Sequence, residues 1–346
     1  MKRGLLISAL VLVVVGAVIY GIVVLVGGPG LPPAATPSST VPSTRSPSAP
    51  TTKPPKGVKR NPFGAMGCGT ECAAQLDVRF YRPFAVLLQD TTTSPDATQF
   101  ADAGYRLVLT VKNNTDRQAS VFPSNLGDYR SRIGQVIDHY RSSLAVLAIE
   151  NEERSLPMFN GTYQQYRQML TVACEEAHAR GVKCTNGGLL SQDIVFWVYE
   201  RLVEEGRQEE ANQYWDSAAR EGLPKDQAAA MASQVQPWIQ NAAAAGADYF
   251  NFHAYYNDGR GLAIAADALR RYTGLPVIVN EMGVRINDPA VARSLCEGVL
   301  QAQLPIAIWY TSQTRPFGTA LVNPNRSLNA LGEAIASCIR SHFASG

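Results

Sequence analysis

The chain has 346 residues, 46% of them hydrophobic, with 31 basic against 29 acidic side chains and a formal charge of +2. That length admits one large domain or two ordinary ones. The near-neutral charge, with no clustered basic face, argues against a nucleic-acid-binding protein.

Residues 5–26 form an uncharged apolar run of 22 residues behind Lys2 and Arg3. Such a run is long enough to span a bilayer. No small-residue cleavage motif follows it, so residues 1–27 are expected to be an uncleaved signal anchor with the basic end inside. Cleavage and secretion is the alternative. Residues 28–57 are dominated by Pro, Ser, Thr and Ala. This composition buries too little apolar surface to fold, and its prolines make a semi-rigid spacer. Residues 58–346 are then expected to be a globular domain held outside the cytoplasm, working as a monomer.

The globular part alternates strand and helix. Strands are expected at 61–67, 77–81 (DVRFY), 105–112 (YRLVLTVK), 144–149, 182–190, 248–255 (DYFNFHAY), 275–282 and 305–311 (PIAIWYT). Apolar positions recur at helical spacing between them, at 95–103, 126–140, 163–180, 262–273, 289–303 and 328–343. Residues 191–246 form a long helical excursion carrying Trp197, Trp215 and Trp238. These tryptophans either pack its own helices or, for Trp197 or Trp215, line a ligand subsite. Several strands are apolar on both faces, as in a parallel sheet covered by helices. Eight such β/α units predict a (β/α)8 TIM barrel. The competing open doubly wound sheet lacks a GxGxxG turn after its first strand.

Six cysteines are present, Cys68, Cys72, Cys174, Cys184, Cys296 and Cys338. Outside the cytoplasm they are expected to pair locally, 68 with 72, 174 with 184 and 296 with 338; free buried thiols are the alternative. With no CxxC or HxH and only four histidines, neither a metal site nor a cofactor is expected. Asn113, Asn160 and Asn325 head N-x-[ST] sequons.

Two strands end alike. LAVLAIENEE, residues 144–153, runs into Asn151-Glu152, and LPVIVNEMG, residues 275–283, runs into Asn280-Glu281. Two carboxylates at the carboxyl ends of buried barrel strands are equipment for acid–base or covalent sugar chemistry. By strand count Glu152 closes the fourth strand and Glu281 the seventh. In this the chain resembles the clan A retaining glycoside hydrolases, the (β/α)8 barrels of cellulase-, mannanase- and xylosidase-like enzymes, over residues 63 to 342.

The resemblance implies that Glu152, after Asn151, is the acid/base and Glu281 the nucleophile. It implies further that Arg79 on strand two, His253 and Tyr255 on strand six, and Trp309 ending strand eight bind substrate or steady the nucleophile, with Tyr256 and Tyr310 as lesser aromatic candidates. Asn151 is expected to bond a sugar 2-hydroxyl. Glu153 stands where parts of the clan have proline, so Glu150 and Glu153 remain rival acids. The implied partner is a carbohydrate and the implied reaction is double displacement at a β-glycosidic bond, needing carboxyl groups roughly 5–5.5 Å apart. The rival from another class is an inactive barrel that binds glycan or protein.

Overall fold

The computed structural model describes residues 60–114, 118–311 and 320–343. The expected signal anchor and Pro/Ser/Thr-rich linker lie outside the described residues. Among the described residues no helix is long and apolar enough to cross a membrane.

Eight parallel strands form the barrel: β1 (Phe63–Met66), β2 (Phe80–Tyr81), β3 (Arg106–Lys112), β4 (Leu144–Ile149), β5 (Lys183–Asn186), β6 (Phe250–Tyr256), β7 (Val277–Val284) and β8 (Ala307–Tyr310). Their order is β5-β4-β3-β2-β1-β8-β7-β6. The sheet closes where Thr185 bridges Tyr249 and Leu189 bridges Phe252, both parallel. Successive side chains on a strand face opposite ways. Accordingly Phe80, Val108, Val146, Ile278, Ile306 and Ile308 fill the barrel. Their neighbours Leu107, Leu109, Leu147, Val279, Ala307 and Trp309 pack outward against the helices.

The helices are α1 (Thr70–Gln75), α2 (Pro95–Asp102), α3 (Leu126–Tyr140), α4 (Tyr163–Ala179), α5 (Ser191–Glu204), α6 (Gln208–Ala218), α7 (Ala228–Ala244), α8 (Gly259–Thr273), α9 (Pro289–Gln301) and α10 (Ala330–Phe343). Side-chain caps start several of them. Ser94, Asn125 and Asp258 accept from first-turn amides, and Thr162 with Gln165 makes a reciprocal capping box. The excursion after β5 is α5, α6 and α7. Its tryptophans pack among aromatic neighbours: Trp197 on Tyr272, Trp215 between Phe196 and Tyr199, Trp238 on Tyr166.

The three cysteine pairs are bonded as expected, Cys68–Cys72, Cys174–Cys184 and Cys296–Cys338. Two features had no expectation behind them. Val86–Leu87 pairs with the carboxyl end of β3, and Ser120–Val121 pairs with Phe159–Asn160. The second pairing ties the loop after β3 to the loop after β4, which carries Glu152.

Candidate active site

At the carboxyl end of β4 the backbone turns through two left-handed residues, Glu150 (φ 68°) and Glu152 (φ 47°). Side chains other than glycine rarely adopt this conformation, and it persists where surrounding bonds over-determine it. Here the bonds are visible. The Tyr166 hydroxyl donates to the carbonyl of Ile149 (2.9 Å) and accepts from the Gly187 amide (3.0 Å). Ser155 N–H donates back to the Glu152 carbonyl.

The turn sends three neighbouring glutamates in three directions. Glu150, fully buried, accepts from the Asn113 amide at 2.8 Å. Glu153, also fully buried, accepts from Asn186 at 2.9 Å. Burial pushes each of these carboxyls up to about 7, against opposing hydrogen bonds. Glu152 alone enters the cleft, its Oε1 3.1 Å from His253 Nδ1. The two rival acids are thus anchored away from it.

Glu281 faces Glu152 from β7. Its Oε2 accepts from Arg82 Nη1 at 2.8 Å, and its Oε1 accepts from the Tyr255 hydroxyl at 2.7 Å. Burial alone would raise this carboxyl. The charges of His253 and Arg82, and the bonds from Tyr255 and Arg82, instead hold it down at about 2. His253, fully buried, lies between the acids, its Nε2 3.9 Å from Glu281 Oε2. Burial disfavours its cation, yet Glu281 and Glu152 outweigh that and raise it. Burial and Glu281 keep the Tyr255 hydroxyl protonated, so it donates. Carboxyl oxygens of Glu152 and Glu281, with a ring nitrogen of His253, all lie within 4.8 Å of one another. The Arg82 guanidinium already neutralises Glu281, which disfavours a metal cation at this trio.

The structure brings together five of the seven expected site residues: Glu152, Glu281, Asn151, His253 and Tyr255. Arg79 is not among them. It is exposed at the amino-terminal end of β2, its guanidinium 5.1 Å over Phe80. Expecting the strand at 77–81 put position 79 at the cleft. The strand begins at Phe80, which faces the barrel interior, so the next inward residue is Arg82. Arg82 bonds Glu281, the Asn280 carbonyl (3.1 Å), Thr110 Oγ1 (3.2 Å) and Asn151 Oδ1.

Trp309 is the second correction. It is 1% exposed and packs in the layer between barrel and helices. Tyr310, one residue on, faces inward and lines the cleft. Tyr256 is fully buried and bonds Tyr214 at 3.1 Å, away from the carboxylates.

The cleft is small, about 220 Å³, and is walled by Arg82, Lys112, Asn151, Glu152, Glu281 and Tyr310, with Phe84 60% exposed at its lip. A larger cavity of about 870 Å³ lies beside α3, among Gln89, Asn113, Asn125 and Arg132, and holds neither carboxylate. Chemistry rather than size marks the smaller one as the site. Glycine makes room beneath it: a Cβ on Gly188 (φ 105°) would lie 2.6 Å from His253 Nε2 and 2.9 Å from Asn280 Oδ1.

No protein-family model and no curated protein sequence matches the chain. Its neighbours among solved structures are TIM-barrel glycoside hydrolases. A glucosidase from Croceicoccus marinus superposes with a TM-score of 0.57 at 11% identity, over 83% of this chain and 69% of that one. An exo-β-1,4-mannosidase from Opitutaceae bacterium strain TAV5 gives 0.55 at 12%, over 84% of this chain and 61% of the mannosidase. A GH128 subgroup II endo-β-1,3-glucanase from Sorangium cellulosum gives 0.51 at 12%, over 80% and 98%. At such identities the likeness is one of fold.

Proposed function

We propose that the protein is a retaining glycoside hydrolase acting on β-glycosidic bonds of a poly- or oligosaccharide. The observation that carries this reading is the approach of Glu152 and Glu281 within 4.8 Å across one cleft. That nearest-oxygen approach is compatible with carboxyl groups roughly 5–5.5 Å apart, the arrangement a double displacement needs.

The residues divide the work by their surroundings. Glu281, ionised by Arg82 and aimed by Tyr255, attacks the anomeric carbon. The bond to the leaving oxygen breaks, and that oxygen takes a proton from Glu152. Glu152, now a carboxylate, draws a proton from water, whose oxygen displaces Glu281 and frees the sugar. Asn151 Oδ1 is held by Arg82, which leaves its amide N–H groups to donate to a sugar 2-hydroxyl. His253 touches Glu152 and lies near Glu281, so it can follow the proton between the two steps. Three disulfides and the apolar run at residues 5–26 support an extracytoplasmic domain tethered by a single-pass anchor.

The neighbours' names make aryl β-glucosides, β-1,3-glucan and β-1,4-mannan the first substrates to try. The expected outcome is turnover by the purified chain. Glu152→Ala should lower kcat on unactivated substrates about 10²–10⁴-fold, and Glu281→Ala should abolish turnover while oligosaccharide binding persists. Binding without turnover in the wild type would instead identify a glycan-binding barrel.

A further inference from the structure

On β3, Val108 fills the barrel and Thr110 bonds Arg82. The next residue on that inward face is Lys112, which stands in the cleft wall beside Asn151, Glu152 and Glu281. It is half-buried there. Its Nζ has no hydrogen-bond or ion-pair partner among the described residues. The charge it influences is Glu150, which is fully buried and already bonded to the Asn113 amide.

Arg82 is spent on Glu281, the Asn280 carbonyl and Asn151. For the proposed reaction to begin, Glu152 must hold a proton. Apart from His253, whose cation the two acids favour, the cleft then holds two cations, Arg82 and Lys112, against one carboxylate, Glu281. Glu150, pushed up to about 7 by burial and already bonded to Asn113, offsets the Lys112 ammonium only in part, and a neutral sugar supplies no further counter-charge.

We propose that Lys112 pairs with an anionic substituent on the glycan, so that the substrate is an acidic sugar chain, with Phe84 at the lip offering an apolar wall to a ring. The inference rests on the hydrolase reading of the same cleft. A ring carboxylate and a phosphate ester supply the same chemistry, and both are accessible to test.

The test compares an aryl β-glucuronide, an aryl 6-phospho-β-glucoside and the neutral aryl β-glucoside, on wild type and on Lys112→Met. One of the two acidic substrates should exceed the neutral one in kcat/KM by about tenfold or more, the range of a hydrogen bond to a charged group. Lys112→Met should bring that ratio towards one. A neutral substrate that equals or exceeds both acidic ones, or a ratio that Lys112→Met leaves unchanged, overturns the proposal. Calorimetric titration with a β-1,4-linked glucuronic acid tetrasaccharide, a phosphorylated cello-oligosaccharide and plain cellotetraose separates the two readings if nothing is turned over. Preference for an acidic oligosaccharide, lost in Lys112→Met, would uphold acidic recognition while the hydrolase reading fails. Equal or absent binding of all three would sink both.

Discussion

Glu281 depends on its neighbours for its charge. Burial would neutralise it, and the Arg82 bond at 2.8 Å is one of the contacts that hold it ionised. With the carboxyl at about 2, the acid limb of its titration lies below an ordinary assay range. Replacing Arg82 with Met removes a charge that favours the carboxylate, so the limb should climb to higher pH. A pH profile of kcat/KM from pH 3.5 to 8 should therefore show a larger loss at pH 4–5 than at pH 7. A uniform drop with unchanged shape would assign Arg82 to substrate binding alone. The same residue shows where sequence reading stops. Asn151, Glu152, His253, Tyr255 and Glu281 were legible because each ends a long strand with clear polarity. Arg79 and Trp309 were each misplaced by strand parity. On a period-2 element a one-residue error in where the strand starts exchanges inside for outside. DVRFYRP does not mark its own start, so Arg82 stayed hidden behind Arg79. In IAIWY the inward face is Ile306, Ile308 and Tyr310, which leaves the larger ring, Trp309, on the outer face.

The strands carrying the two acids are connected by a buried polar chain. Asn186, ending β5, donates to Glu153 (2.9 Å) and to the Asn251 carbonyl (2.8 Å), and accepts from the Asn251 amide (2.7 Å). Asn251 Oδ1 in turn accepts from the Asn280 amide on β7 at 2.9 Å. These bonds join β5 to β6 where the backbone ladder is reduced to isolated bridges. Asn186→Leu would take from Glu153 its side-chain donor and from the Asn251 amide and carbonyl their Asn186 partner. At about 1–3 kcal/mol per orphaned buried group, the variant should lose ~3 kcal/mol or more in chemical denaturation. Its kcat should fall further than KM changes, because the turn holding Glu152 loses an anchor. An unchanged midpoint would show that water replaces the asparagine. Helices such as Leu126–Tyr140 were readable from apolar positions recurring at helical spacing, whereas the cap at Asp258 was not, and its helix starts at Gly259 rather than at 262. The paired dipeptides Val86–Leu87, Ser120–Val121 and Phe159–Asn160 were not readable either, since two residues carry no periodicity. Asn186 and Asn251 are illegible in the sequence for a similar reason: a lone asparagine in a strand signals nothing until its partners are known.

For the molecule as a whole, three buried acids set a pH dependence. Glu150 and Glu153 are raised from 4.5 to about 7, and Asp193, buried beside Arg154 and near Glu152, is raised to about 6. A carboxyl that binds its proton more tightly when folded contributes stability below its unfolded value. That contribution is lost as pH rises through the folded value, at about 1.4 kcal/mol per pH unit and per group. Glu281, lowered to about 2, acts in the opposite sense, stabilising above about 4.5 and failing as pH falls towards 2. Thermal stability should thus peak near pH 4.5–5 and decline towards pH 7.5. Glu150→Gln, which keeps an acceptor for the Asn113 amide, should flatten the decline. Stability rising steadily to pH 8 would contradict the placement of these groups. At this scale the sequence was most informative. Eight β/α units were countable because strand runs such as YRLVLTVK and LPVIVNEMG alternate with amphipathic helices; the cysteine pairing rested only on nearness in sequence.

In the proposed reaction Glu152 and Glu281 act on opposite sides of one anomeric carbon in two displacements. Proton NMR of the first-formed sugar, recorded before mutarotation, tests this directly. Release of the β-anomer from a β-linked substrate is the predicted result; release of the α-anomer would contradict it.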